Sequence, residues 1–264
     1  MQATPLQRRA RRILAVASLV WLEARRTRLP WIAVGLALAL LAVSVFASSL
    51  ALTESARLQL AFLAPMVRMT TVVVVCLHVL GSTLREAQDG NTAYLLATDL
   101  PRAEYLLGKA LGHLGAAALV AALLGLPLLL FAPPGGAAAW LVSLMLESSI
   151  VVAAALFCAI TLRQLMLGAA FVMGLYLLAR AMAAILLIAA ASPFAGPGST
   201  HALLSPALSA VALLLPGLDR FTQTAWLLGT LPDAAALLRV GLEALTYVAL
   251  LLAASMVDFH RRNF

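Results

Sequence analysis

The sequence predicts an all-α integral membrane protein with six transmembrane helices. Three observations carry that expectation. Of 264 residues, 63% are hydrophobic and 11% charged, with a mean hydropathy of +1.01. A soluble domain carries about 25% charged residues, so lipid must be the solvent for much of this surface. Six apolar runs reach spanning length, and no alternating strand pattern interrupts them. In hydrocarbon every backbone polar group must be satisfied internally, which leaves helices.

Residues 1–30 come first as a basic segment. Arg8, Arg9, Arg11 and Arg12 precede an apolar run, Ile13 to Leu22, that is too short to span. Ile13, Val16, Ala17, Val20 and Trp21 fall on one helical face, which predicts an interfacial helix along the membrane surface. A signal peptide does not fit, because Glu23-Ala24-Arg25-Arg26 follows the run without a small-residue cleavage site.

Residues 31–264 read as the transmembrane domain. The spans are Trp31 to Leu52, about Arg68 to Leu84 (extended as helix from Arg57), Ala110 to Phe131, Ala137 to Leu162, Met166 to Ala191, and about Leu237 to Val257. Each run suits a hydrocarbon core of ~30 Å at ~1.5 Å per residue. Pro133-Pro134-Gly135-Gly136 ends the third span. Residues 192–236 form the long join before the sixth. Pro193, Gly196, Pro197 and Gly198 open it. The apolar stretch Leu203 to Leu215 contains Pro206 and is too short to cross, so a re-entrant or capping segment is expected. A turn at Pro216 to Phe221 follows.

The basic residues set the orientation. Seven Arg lie in the first 29 residues. Arg85, Arg102 and Lys109 lie between spans two and three, Arg163 between four and five, and Arg261 and Arg262 in the tail. Thirteen of 18 basic residues thus share one side. Both termini are expected in the cytoplasm, beneath a cell inner membrane. This bias accounts for the net charge of +7, and no soluble basic domain offers a nucleic-acid site. Cys76 and Cys158 sit in apolar runs and read as core residues.

Among the ionisable residues within spans, His78, Glu147, Arg180 and Glu243 stand out. Burying a charge there costs roughly 2.5–3.5 kcal/mol even on an insertion scale. Depth counting puts Glu147, Arg180 and Glu243 in the same outer half, where they can pair. A structural ion pair is the simpler role and a polar patch on a substrate path the alternative. His78 has no His or Cys at ligand spacing, so no metal site is expected.

The polar connection over residues 85–109 is the most informative stretch. A minimal turn would join two spans, yet this one carries Arg85, Glu86, Asp89, Asp99, Arg102, Glu104 and Lys109 around an amphipathic piece from Thr92 to Thr98. No catalytic residue set accompanies it, so it suggests a docking surface for another protein. Its pattern is E-x-x-x-G-x-x-x-x-L-L-x-x-x-L-P-R-x-x-Y-L-L-G-K, at Glu86, Gly90, Leu95, Leu96, Leu100, Pro101, Arg102, Tyr105, Gly108 and Lys109. It resembles the permease subunits of ATP-binding-cassette exporters of the six-helix, type-2 class. Members typically show an acidic residue, Gly-Thr, Leu-Leu, Pro, Arg and Gly-Lys. This chain inserts Asn91 between Gly90 and Thr92. Glu23 and Arg26 before the first span, the stretch Leu215 to Phe221, and Phe259 with Arg261 and Arg262 are also family-like.

The resemblance implies a permease that moves an unidentified substrate, or transmits force, when a separate ATPase subunit hydrolyses ATP. Contact with that subunit would fall on Arg85, Glu86, Asp89, Gly90, Thr92, Leu96, Pro101 and Arg102. A second permease copy, or a related permease, would complete the unit, with membrane lipid around it. ATP and Mg would bind the partner, with no cofactor on this chain. Gly108-Lys109 looks like the end of a phosphate-binding loop, but Ala103 stands at its first glycine and Ala110 at its Ser/Thr. A secondary transporter, or another polytopic protein without an ATPase, is the alternative. It would more often show paired repeats, and none is evident. An intramembrane enzyme would need a nucleophile–base set that the spans lack.

Overall fold

Run length sets the element order, and every regular element among the described residues is helical. The structure, a computed structural model, describes residues 5–49, 55–90, 101–190 and 201–261. These form α1 (Pro5–Arg26), α2 (Leu29–Ser49), α3 (Ser55–Gln88), α4 (Arg102–Gly125), α5 (Pro134–Leu162), α6 (Leu165–Ala190), α7 (His201–Leu214), α8 (Thr224–Leu227) and α9 (Ala234–Arg261). A 3-10 turn, Leu126–Leu130, continues α4, and another, Leu218–Arg220, precedes α8. Six helices, α2 to α6 and α9, are long and apolar enough to cross a membrane. The chain has the build of a multi-pass membrane protein.

The spans match the apolar runs, and their ends differ where polar residues find partners. α3 starts at Ser55 and continues through Pro65 to Gln88. α4 starts at Arg102, not at the apolar boundary Ala110. Its first turns carry Glu104, Tyr105 and Lys109, all buried against neighbouring helices. Pro101 precedes it in extended conformation; its ring disfavours continuation of a helix from the chain before it. Between α5 and α6, Arg163 adopts a left-handed φ of 52°. That residue reverses the chain within two positions, so α5 and α6 pack as neighbours.

α5 is the most enclosed span. It is apolar all round, as a helix surrounded by others should be, and it contacts α3, α4, α6 and α9. Trp140, Leu144, Ala155 and Leu156 are fully buried along it. α9 exposes far more of its surface, which is where lipid or another chain is expected. α7 packs on α6, and α8 on α3 and α5.

α1 lies across the first half of α4. Small residues make this possible. A Cβ at Gly108 would sit 2.6 Å from Val16 Cβ and 2.8 Å from Ile13 O. One at Gly112 would sit 2.6 Å from Val20 Cβ and 2.9 Å from Ala17 O. The G-x-x-x-G spacing opens one face of α4 to another backbone, the usual route to close packing in lipid. Val16, Val20 and Ala24 are buried there, while Trp21 stays 36% exposed.

Gly112→Val forces a β-branched side chain into this notch. Overpacking of that kind costs about 1–3 kcal/mol. The variant is expected to lower the thermal midpoint in detergent and to hasten tryptic cleavage at Arg25 and Arg26. An unchanged midpoint and cleavage rate would show that α1 does not seat on α4.

Candidate functional site

Two polar clusters lie at opposite ends of the bundle. The first gathers where α3 ends and α4 begins. Glu86 is its hub: the Tyr105 hydroxyl donates to Oε1 at 2.7 Å, and Lys109 Nζ stands 2.5 Å from Oε2. Lys109 is almost wholly buried, and Glu86 is mostly so. Helical spacing explains the match. Tyr105 and Lys109 are four apart on α4, and Ser82 and Glu86 four apart on α3, so each pair shares a face. The Ser82 hydroxyl donates to Glu23 Oε2 of α1 at 2.8 Å, and Arg85 approaches Glu23 Oε1 at 3.9 Å. Glu104 lies within 3.8 Å of Arg9 and 3.7 Å of Arg12.

The end of α9 joins the same cluster. Arg102 Nη1 donates to the carbonyls of Phe259 (3.0 Å) and His260 (3.2 Å), orphan acceptors of a helix C-terminus. Its guanidinium lies over the Phe259 ring, 5.9 Å from the centroid. Tyr105 stacks on the same ring. Thr161 Oγ1 donates to Asp258 Oδ2 at 2.9 Å. α1, α3, α4, α5 and α9 therefore meet in one polar joint.

The expected contact residues divide within this geometry. Glu86 and Arg102 are engaged with side chains or carbonyls of their own chain. Arg85, Asp89, Gly90 and Pro101 are exposed, and Gly90 takes a left-handed φ of 73° just past α3. Thr92 and Leu96 lie outside the described residues.

The second cluster is built around Glu147, which is fully buried on α5. The Tyr176 hydroxyl donates to Oε1 at 2.7 Å and the Thr222 hydroxyl to Oε2 at 2.9 Å. Arg180 Nη1 lies 3.7 Å from Oε1. The same nitrogen donates to Leu218 O, to Phe221 O at 3.0 Å and to Thr222 Oγ1 at 3.3 Å. Arg68 of α3 also reaches Thr222 Oγ1, at 3.4 Å. Thr222 holds a left-handed φ of 45°, and its N–H donates to Ser143 Oγ at 3.0 Å. The anchored turn buries Leu218 and Phe221.

Glu147 and Arg180, which depth counting allows to pair, lie together, and Glu243 meets the same turn through other partners. Glu243 Oε1 accepts from the Gly217 N–H at 2.5 Å, and Oε2 lies 4.0 Å from Arg220. It meets the turn from α9, where the turn supplies a backbone donor and a cation.

Sequence spacing gives His78 no neighbour, yet the fold brings His113 of α4 beside it, with ring centroids 5.6 Å apart. The i, i+4 step from Lys109 to His113 on the buried face of α4 was the signal for it. Among the described residues, no group of three or more His, Cys, Asp or Glu side chains gathers at metal-binding distance. Neither protein-family models nor curated proteins match the chain. What the clusters do chemically is hold helices and a turn through charge. Each carboxylate hub is held by polar groups of the same chain, Glu86 by Tyr105 and Lys109 and Glu147 by Tyr176, Thr222 and Arg180.

Removing one partner of a buried ion pair costs roughly 3–5 kcal/mol, because the other charge is stranded. Arg180→Leu is expected to lower the thermal midpoint sharply and to raise protease access to residues 215–232. Glu147→Gln retains acceptor and donor capacity and should cost clearly less. Equal, small effects of both changes would exclude the pair as the anchor of the turn.

Proposed function

We propose that this chain is the membrane-spanning subunit of a six-helix, type-2 ATP-binding-cassette transporter, driven by ATP hydrolysis on a separate polypeptide. The observation that carries this reading is the polar connection between α3 and α4. Its Glu86, Arg102, Tyr105, Gly108 and Lys109 pattern resembles that of such permeases. Those residues form the joint between α1, α3, α4 and α9.

The mechanics follow from the contacts. Glu86–Lys109 and Glu86–Tyr105 tie the end of α3 to the start of α4, and Arg102 ties α4 to the end of α9. A force applied to residues 89–101 is therefore passed to three spans and α1 together. Arg85, Asp89, Gly90 and Pro101 present the surface on which an ATPase subunit would press, with Thr92 and Leu96 between them in sequence. That face would be cytoplasmic, with both termini on it, in line with the basic bias. A second copy of the chain, or a related permease, would pair with it across the exposed spans. The turn held by Glu147 and Arg180 would close the external side. Export of an unidentified substrate, or mechanical transmission to an external partner, is the output.

Affinity purification of the full chain from its source membrane is the test. It should bring down an ATPase carrying a complete phosphate-binding loop, and the complex should hydrolyse ATP while the isolated chain does not. Turnover by the isolated chain, or repeated recovery without an ATPase, would overturn the proposal.

A further inference from the structure

The Gly108 and Gly112 notch uses only one side of α1. Ile13, Val16, Val20 and Ala24 follow helical spacing and face α4. Arg8, Arg11, Ala15, Ser18, Leu22 and Arg25 form a second stripe at the same spacing, and every one is exposed. Because the inner stripe is locked by backbone-close packing, the outer stripe points in a fixed direction.

Charge on α1 is sorted between these sides. Arg9 and Arg12 are compensated by Glu104. Glu23, the sole acidic residue of the helix, is occupied by Ser82 and Arg85. Arg8, Arg11, Arg25, Arg26 and Arg28 are exposed and have no ion partner among the described residues. They sit near both ends of α1, with Leu14 (62% exposed) and Leu19 (56% exposed) between them. α2, an apolar span, begins at Leu29, directly after the α1 turn. The helix is thereby held at the level where the chain enters hydrocarbon.

We propose that the outer face of α1 is a docking strip for anionic phospholipid headgroups. The occupant follows from the residue chemistry. A guanidinium fork matches two oxygens of a phosphodiester and sheds water more readily than an ammonium. Every unpaired cation on the strip is Arg. The exposed Leu side chains reach the boundary between headgroups and acyl chains, as on in-plane amphipathic helices. A cluster of four or more basic residues on such a helix is the usual footprint of anionic lipid. The strip needs only the membrane setting, so it stands apart from the ATPase reading.

The test uses the full chain, with Cys76 and Cys158 replaced by Ala and Ala15→Cys labelled with bimane, in nanodiscs. Ala15 lies mid-strip and is exposed. Quenching by dibrominated phosphatidylglycerol is compared with quenching by dibrominated phosphatidylcholine. The anionic lipid should be enriched at the label about threefold or more. That preference should disappear at ~1 M salt, where the screening length is ~3 Å. It should also disappear in the R8Q/R11Q/R25Q/R26Q variant and persist in R9Q/R12Q, whose arginines face Glu104. Equal quenching by the two lipids, quenching by neither, or a preference that survives the fourfold change would each overturn the proposal.

Discussion

Hydrocarbon offers no hydrogen-bond partner, and this constraint organises the molecule. The buried carboxylates of the bundle are answered by other parts of the same chain. Glu147 is answered by Tyr176, Thr222 and Arg180, and Glu86 by Tyr105 and Lys109. An unanswered charge at the bilayer centre costs roughly 2.5–3.5 kcal/mol or more. The pairs are therefore conditions on which helices can be neighbours. α5 meets α6 where Glu147 meets Arg180, and α3 meets α4 where Glu86 meets Lys109.

The same rule explains why the polar joins are ordered so differently from simple turns. The stretch from Pro216 to Thr222 holds only a short 3-10 turn, and buried backbone of that kind needs partners from the rest of the protein. Arg180 supplies donors to its carbonyls, Ser143 accepts from Thr222, and Glu243 accepts from Gly217. At the other end, Arg102 satisfies the last carbonyls of α9. Apolar packing supplies the bulk of the contacts, but these polar clasps fix which contacts are made.

The six spans were legible because run length alone separates a crossing helix from a short one. Helix ends were less so. Residues 102–109 look like loop on hydropathy, and only the partners on α1, α3 and α9 turn them into the first turns of α4. Glu147 and Arg180 could be matched by depth, since each lies a countable number of residues from a span end. Glu243 could not be assigned that way, because its partners belong to an irregular turn whose path has no period. Gly108 and Gly112 were open to misreading for a related reason. Gly108-Lys109 suggests a phosphate loop when read locally, and the helix that fills the notch lies far upstream. Thr222 carried no local signal beyond its residue type, and His113 only its i, i+4 step from Lys109.

The Glu86–Lys109 pair is the most direct point of attack, because it links both spans that flank the polar connection. A double-mutant cycle with Glu86→Leu, Lys109→Met and the combined change, read as unfolding free energy in detergent, measures it. Each single change should cost roughly 3–5 kcal/mol by stranding a buried charge. The double variant should be more stable than either single one, so the coupling should exceed the cost of each single change, roughly 3 kcal/mol or more. Additive costs would contradict the claim that this buried pair holds α3 and α4 together.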